Sequence, residues 1–273
     1  MQSKSMQAEN PLIRVEHHDD IAFVTLNRAA KRNAINDALL AELDACFPAR
    51  LGNAKVVVLA GTGEHFCAGL DLFELMATRG SDPMQGMRRS RKWHEVFDRI
   101  QFGEVPVVSV LKGGVIGGGF ELAAATHVRV CEASAFFQLP EGQRGIFLGG
   151  GGSVRIPRII GAGRVTEMML TGRQVDARAA HALGVAHEMV PDGTGMARAK
   201  ELARAIASNA STTNFAIING IQRIGEMSMG DGMFAETMVT MMTRVGNTGA
   251  ERRIHEFFEG RRQVRDDREP EPT

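Results

Sequence analysis

Gly113-Gly114-Val115-Ile116-Gly117-Gly118-Gly119-Phe120-Glu121-Leu122 closely follows the run Val105-Pro106-Val107-Val108-Ser109-Val110. A short, continuous, β-branched run reads as a strand covered on both faces, and glycines ahead of a helical pattern read as a tight turn opening a helix. The same order occurs earlier in the chain. Val56-Val57-Val58-Leu59 precedes Gly61-Thr62-Gly63-Glu64-His65-Phe66-Cys67-Ala68-Gly69-Leu70-Asp71-Leu72. Strand, glycine turn and helix, occurring twice, predict an α/β core. Both turns set unpaired backbone N–H groups at the start of a helix, where the dipole and the orphan donors favour negative charge. Two such donors converging on one oxygen would make an oxyanion hole. The simpler alternative is that the glycines only make tight turns. A dinucleotide fingerprint fails at both places where it could begin: from Gly117 the spacing puts Leu122 at the last glycine position, and from Gly161 it puts Thr166 there.

Working outward, apolar residues of Leu12 to Val15 and Ile21 to Leu26 flank the polar turn His17-His18-Asp19-Asp20, which predicts an opening hairpin. Leu39, Leu40, Leu43 and Phe47 recur at helical spacing after Asn36-Asp37. Met76 to Gly86 is polar and glycine-bearing and reads as a mobile loop; beyond it Trp93, Val96, Phe97 and Ile100 share one helical face. Further strands are expected at Val128 to Cys131 and Phe136 to Gln138. From Gly161 the pattern turns helical, with segments at Arg198 to Ser208, Thr213 to Met227, Gly232 to Val245 and Ala250 to Arg261. The expected organisation is a disordered segment over 1–10, an α/β core over 11–200, a helical region over 201–262 and a disordered tail over 263–273.

The chain has 273 residues, with 32 lysines and arginines against 32 aspartates and glutamates, so no global field favours nucleic acid or an anionic membrane. Any charged ligand must be held locally. Val105 to Ala125 carries Lys112, Glu121 and several glycines, which argues against a membrane span. The first ten residues resemble neither a secretory signal nor a transit sequence, and the expected location is cytoplasmic. Cys46, Cys67 and Cys131 are too few for a disulfide framework, and no spacing resembles a metal site.

Phe66-Cys67-Ala68-Gly69-Leu70-Asp71, Gly117-Gly118-Gly119-Phe120-Glu121-Leu122 and Pro140-Glu141 with Gly149-Gly150-Gly151-Gly152-Ser153 together resemble the enoyl-CoA hydratase/isomerase (crotonase) family. Leu26-Asn27-Arg28 with Asn33-Ala34, Leu170-Thr171-Gly172, Ala177 and Gly184-Val185-Ala186 are in step with it, over about residues 12 to 262. The resemblance implies a crotonase-like spiral of repeated ββα units, with C-terminal helices that join subunits into a homotrimer or a homohexamer. It implies an acyl-CoA thioester as substrate, coenzyme A entering only as part of that substrate, and no metal or separate cofactor.

Carried over by matching motif, the N–H groups of Ala68 and Gly118 would form the oxyanion hole, Glu121 and Glu141 would be the acid/base carboxylates, and Gly149 would offer an N–H beside the second carboxylate. Arg28, Lys31, Arg32, Ala34, Asp71 and Leu72 are substrate-binding candidates by position. Water addition to an enoyl thioester needs a base for the water and an acid for the α-carbon, and two close carboxylates divide those roles because like charges push one pKa upward. The activity implied is an enoyl-CoA hydratase; the alternatives are an isomerase, hydrolase or lyase on the same scaffold. A non-catalytic RNA-binding relative is the alternative of another class, and neutral composition with two retained glutamates argues against it. Glu121 could instead merely complement a helix dipole, and Glu141 could be a solvated turn residue. Gly142-Gln143-Arg144 and His127 depart from the family pattern, which usually has an apolar residue after the second glutamate and an aspartate at the position of His127.

Overall fold

The computed structural model describes residues 11–47, 50–77, 82–244, 254–255 and 257–259. Strands β1 (Ile13–His18) and β2 (Ile21–Leu26) pair antiparallel as expected, but the turn is only Asp19-Asp20, because His17 and His18 pair with Ala22 and Ile21. Asp19 takes a positive φ of 53°, which its short polar side chain tolerates. Helix α1 (Asp37–Cys46) is capped by Asn36, whose side chain accepts from Leu39 N, and buries Leu39, Leu40, Leu43 and Cys46.

The chain continues through β3 (Val56–Gly61), α2 (Leu72–Ala77), α3 (Pro83–Gln101), β4 (Val107–Leu111), β5 (Gly114–Ile116), α4 (Gly118–Ala124), β6 (Val128–Glu132), β7 (Phe136–Gln138), α5 (Gly152–Ile160), α6 (Ala162–Thr171), β8 (Val175–Asp176), α7 (Ala177–Ala182), β9 (Glu188–Val190) and α8 (Gly195–Ala207). The segment expected to loop from Met76 to Gly86 is partly helical. Met76 and Ala77 end α2, residues 78–81 lie outside the described residues, and Asp82 caps α3 by accepting from Met84 N ahead of Pro83, a residue suited to the first helical position. Trp93, Val96, Phe97 and Ile100 face inward, as their spacing predicts.

Two sheets organise these elements. The larger runs β1-β2-β3-β4-β6-β9 and is parallel from β2 onward; the smaller runs β5-β7-β8. Each repeat puts one strand in the large sheet and then crosses to the small one. β4, β5 and α4 form one unit, and β6 and β7 begin the next. β3 begins an earlier unit whose small-sheet member is the single bridge between Cys67 and Val115. Every residue of β3 and β4 is buried, which accounts for their uninterrupted apolar sequence. One core, including Leu59, Phe97, Phe120 and Phe137, fills one side of the large sheet; a second, including Val58, Val108, Val130, Ala199 and Ala203, lies where α8 packs on β3, β4 and β6. That packing places the end of the first unit at Ser208 and keeps α8 whole, so the break falls beyond residue 200.

The second unit begins at Asn209, and in it α9 (Ser211–Gly225) packs on α10 (Met229–Arg244). Met233, Phe234, Met238, Met241 and Met242 of α10 are exposed. The expected disorder of 1–10 and 263–273, and most of the helix expected at Ala250 to Arg261, lie outside the described residues. No described helix is long and apolar enough to cross a membrane.

Candidate active site

The repeats bring three turns together by equal offsets. Cys67 pairs with Val115, so Leu70 and Gly118, each three residues on, are neighbours: a Cβ placed on Gly118 would lie 3.4 Å from Leu70 N. Ile116 pairs with Gln138, Gly117 N donates to Gln138 O at 2.9 Å, and a Cβ on Gly117 would run into Glu141 Oε1. Gly117 has a φ of 51°, so both its backbone and its surroundings require glycine. Glu121 enters one turn into α4, its own N–H bonded to Gly117 O.

The expected pairing of Ala68 with Gly118 is corrected here. Ala68 N donates to Arg32 O at 2.9 Å and is already committed. Leu70 N and Gly118 N have no partner among the described residues, and they are the two free donors side by side. The carbonyl that takes Ala68 N–H is aimed by an unusual loop, in which Arg32 and Asn33 adopt positive φ values of 51° and 55°. Buried Asn33 holds that loop: its Oδ1 accepts from Arg28 N, and its Nδ2 donates to the carbonyls of Thr62, His65 and Phe66.

The two carboxylates sit in different surroundings. Glu121 is 3% exposed, and its Oε1 accepts from Gly150 N at 2.9 Å and Gly152 N at 2.7 Å. Burial pushes its pKa above the ordinary carboxylate value, opposed by these amides, by the Arg155 guanidinium and by the Gly149 amide. The Gly149 backbone therefore serves the first carboxylate, where an N–H beside the second was expected; its carbonyl accepts from Ser90 Oγ at 2.6 Å. Glu141 is 7% exposed, and its Oε2 is buried with no hydrogen-bond partner among the described residues. Burial chiefly, with the Glu121 charge adding to it, pushes Glu141 up to about 7.

The other candidates divide. Arg28 Nη1 donates to Asp71 Oδ2 at 2.7 Å and to Ala34 O at 2.9 Å, so Arg28, Asp71 and Ala34 hold one another. Asp71 also accepts from Phe73 N and Glu74 N at the start of α2, and Leu72 is the first residue of that helix. Burial alone would raise Asp71, but the Arg28 hydrogen bond and the amides of α2 outweigh it and lower its pKa. Lys31 and Arg32 are exposed; Lys31 Nζ lies 5.1 Å from the Phe73 ring centre. Among the described residues no cluster of potential ligands could hold a metal ion.

Both departures from the family pattern have local reasons. His127 Nδ1 accepts from Val107 N at 2.9 Å, so it carries no proton, and Nε2 donates to Gln101 O at 2.8 Å. Burial lowers its pKa and keeps it neutral. Gly142 lies so close to Met169 O that a Cβ would strike it.

Strands that spiral between two sheets and deliver paired amides and two buried carboxylates to one place define a crotonase-type protein. Residues 16–264 match the enoyl-CoA hydratase/isomerase family, and the chain belongs to it. It is 32% identical over 208 residues to the short-chain-enoyl-CoA hydratase of Clostridium acetobutylicum, across 75% of this chain and 78% of that one. A crystal structure of a Rhodopseudomonas palustris protein shares 42% identity at a TM-score of 0.87, covering 94% of this chain and 98% of its own. An enoyl-CoA hydratase from Bacillus anthracis superposes at 0.84 with 29% identity, covering 91% and 96%.

Proposed function

We propose that the chain is an enoyl-CoA hydratase that adds water across the double bond of an enoyl-CoA thioester. The observation that carries this reading is the unequal pair of buried carboxylates beside two free amides. Leu70 and Gly118 N–H hold the thioester oxygen, which gains charge as the enolate forms; one such donor is commonly worth about 3–4 kcal/mol. Glu121 in its ionised form, which its amides favour against burial, takes a proton from water as the water oxygen bonds to the β-carbon. The electrons of the double bond move to the thioester oxygen. Glu141, still protonated below about pH 7, then delivers its proton to the α-carbon as the enolate collapses. The carboxyl groups end with their protons exchanged, and transfer through water resets them.

No resident cofactor or metal enters this reaction, coenzyme A being part of the substrate. Lys31 and Arg32 are the candidates for its phosphates, since Arg28 is engaged by Asp71. The exposed apolar residues of α10 support assembly as a homotrimer or homohexamer. Incubation with crotonyl-CoA and with a 3-enoyl-CoA tests the reading. Formation of 3-hydroxybutyryl-CoA from the former is expected; migration of the double bond in the latter with no hydration of the former would point to an isomerase.

A further inference from the structure

Arg155 is a buried cation that touches neither free amide, yet each of its three guanidinium nitrogens donates a hydrogen bond. Nε donates to Gln101 Oε1 at 2.6 Å, Nη2 to Asp98 Oδ1 at 2.5 Å and Nη1 to Gly150 O at 2.9 Å. Gly150 is the residue whose N–H holds Glu121 Oε1, so one residue is gripped at its carbonyl by Arg155 and itself grips the carboxylate. The neighbouring Gly151, at a φ of 92°, passes so close that a Cβ there would strike Arg155 Nη1. From this geometry we propose that Arg155 is a positioning residue for Glu121, fixing the glycine turn that holds its carboxylate and supplying a positive charge that favours its ionised form.

The charges around Glu121 are few. Arg155 faces it from α5 and Glu141 from the turn after β7, with Arg144 acting on Glu141. From α3, Asp98 binds the guanidinium, and His94 Nε2 lies 3.4 Å from Ser90 Oγ, the group that donates to Gly149 O. Asp98 is 56% exposed along its side chain and partly offsets the charge of Arg155, so the two residues should act on Glu121 in opposite directions.

The proposal rests on the hydratase reading only for what Glu121 does in turnover. Its test compares Arg155→Met, Arg155→Lys and Asp98→Asn by two readouts: the pH profile of kcat/KM with crotonyl-CoA, and carboxyl titration by NMR of the protein labelled with ¹³C-glutamate, assigned through Glu121→Gln. Arg155→Met should move the titration of Glu121 and the acid limb upward and lower kcat about 10- to 100-fold, the scale on which misplaced catalytic groups cost rate. Asp98→Asn keeps an oxygen to accept from Nη2 but removes the charge, and should move both downward. Arg155→Lys keeps the charge without the fork; it should lower kcat and leave the acid limb near its original place. If Arg155→Met does not fold, the Lys and Asn variants carry the comparison. Limbs and titrations that stay unmoved, or that shift the same way in the Met and Asn variants, would overturn the proposal and leave Arg155 as a packing residue. Opposite titration shifts in a protein that hydrates no enoyl-CoA would support the proposal while removing the hydratase reading.

Discussion

Two glutamates of identical chemistry are separated by what surrounds them. Burial raises both pKa values; at Glu121 two amides and a guanidinium oppose it, whereas at Glu141 a neighbouring negative charge adds to it. Hydration requires the first ionised and the second protonated, so kcat should fall as pH rises through about 7, and the acid limb should stand above the ordinary carboxylate value. A pH profile of kcat with crotonyl-CoA checks this; a flat profile between pH 6 and about 8 would count against the assignment. The histidine at 127 carries a second expectation. Its folded pKa is depressed, so the unfolded chain binds the proton more readily, and stability should drop as pH falls below the usual histidine value of 6.5. His127→Asn keeps an acceptor for Val107 N without titrating. Urea melts of this variant should lose part of the pH dependence seen in the parent. At this scale the glutamates were legible in their motifs, but the donor at Leu70 was not. Assigning it required knowing that Arg32 takes a left-handed conformation and turns its carbonyl to Ala68, which nothing in a non-glycine residue signals.

Elements place these residues through repetition that the sequence hardly displays. The long strands β3 and β4 announce themselves by β-branched runs, and α1 and α3 by their spacing. Of the small sheet only β7 is expected, at Phe136 to Gln138; β5 with three residues and β8 with two are too short for any period to register. Yet that sheet brings Leu70, Gly118 and Glu141 together. The extent of α2 and the start of α3 escaped a reading based on composition, because glycine and polar residues at Met76 to Gly86 outweighed the capping role of Asp82 and Pro83. The glycine turn that opens α5 shows how tightly an element serves the site. A Cβ at position 152 would lie 2.5 Å from Glu121 Cγ and 2.8 Å from its Oε1. Gly152→Ala should therefore displace the carboxylate and lower hydration kcat about 10- to 100-fold, with far-UV circular dichroism unchanged. Undiminished kcat would show that the turn does not set the position of Glu121.

For the molecule as a whole, neutral composition excluded partners bound through a global field, and the succession of strand and helix followed by helix alone predicted both the α/β core and the helical end. The break between units was less legible. Residues beyond 200 read as more of the same helical pattern, whereas α8 is tied to the large sheet by Ala199 and Ala203 packed against its valines. Assembly is the expectation at this scale. Sedimentation at micromolar concentration should give a trimer or hexamer, and a fully active monomer would remove the role given to the exposed methionines of α10. The account stands most directly on two carboxylates that share one addition of water. Its decisive measurement is the hydration kcat of Glu141→Gln alongside its affinity for an acyl-CoA. The account predicts affinity retained and kcat reduced by roughly 10² to 10⁴-fold, the usual contribution of one positioned acid or base; hydration of enoyl-CoA at the unaltered rate would contradict it.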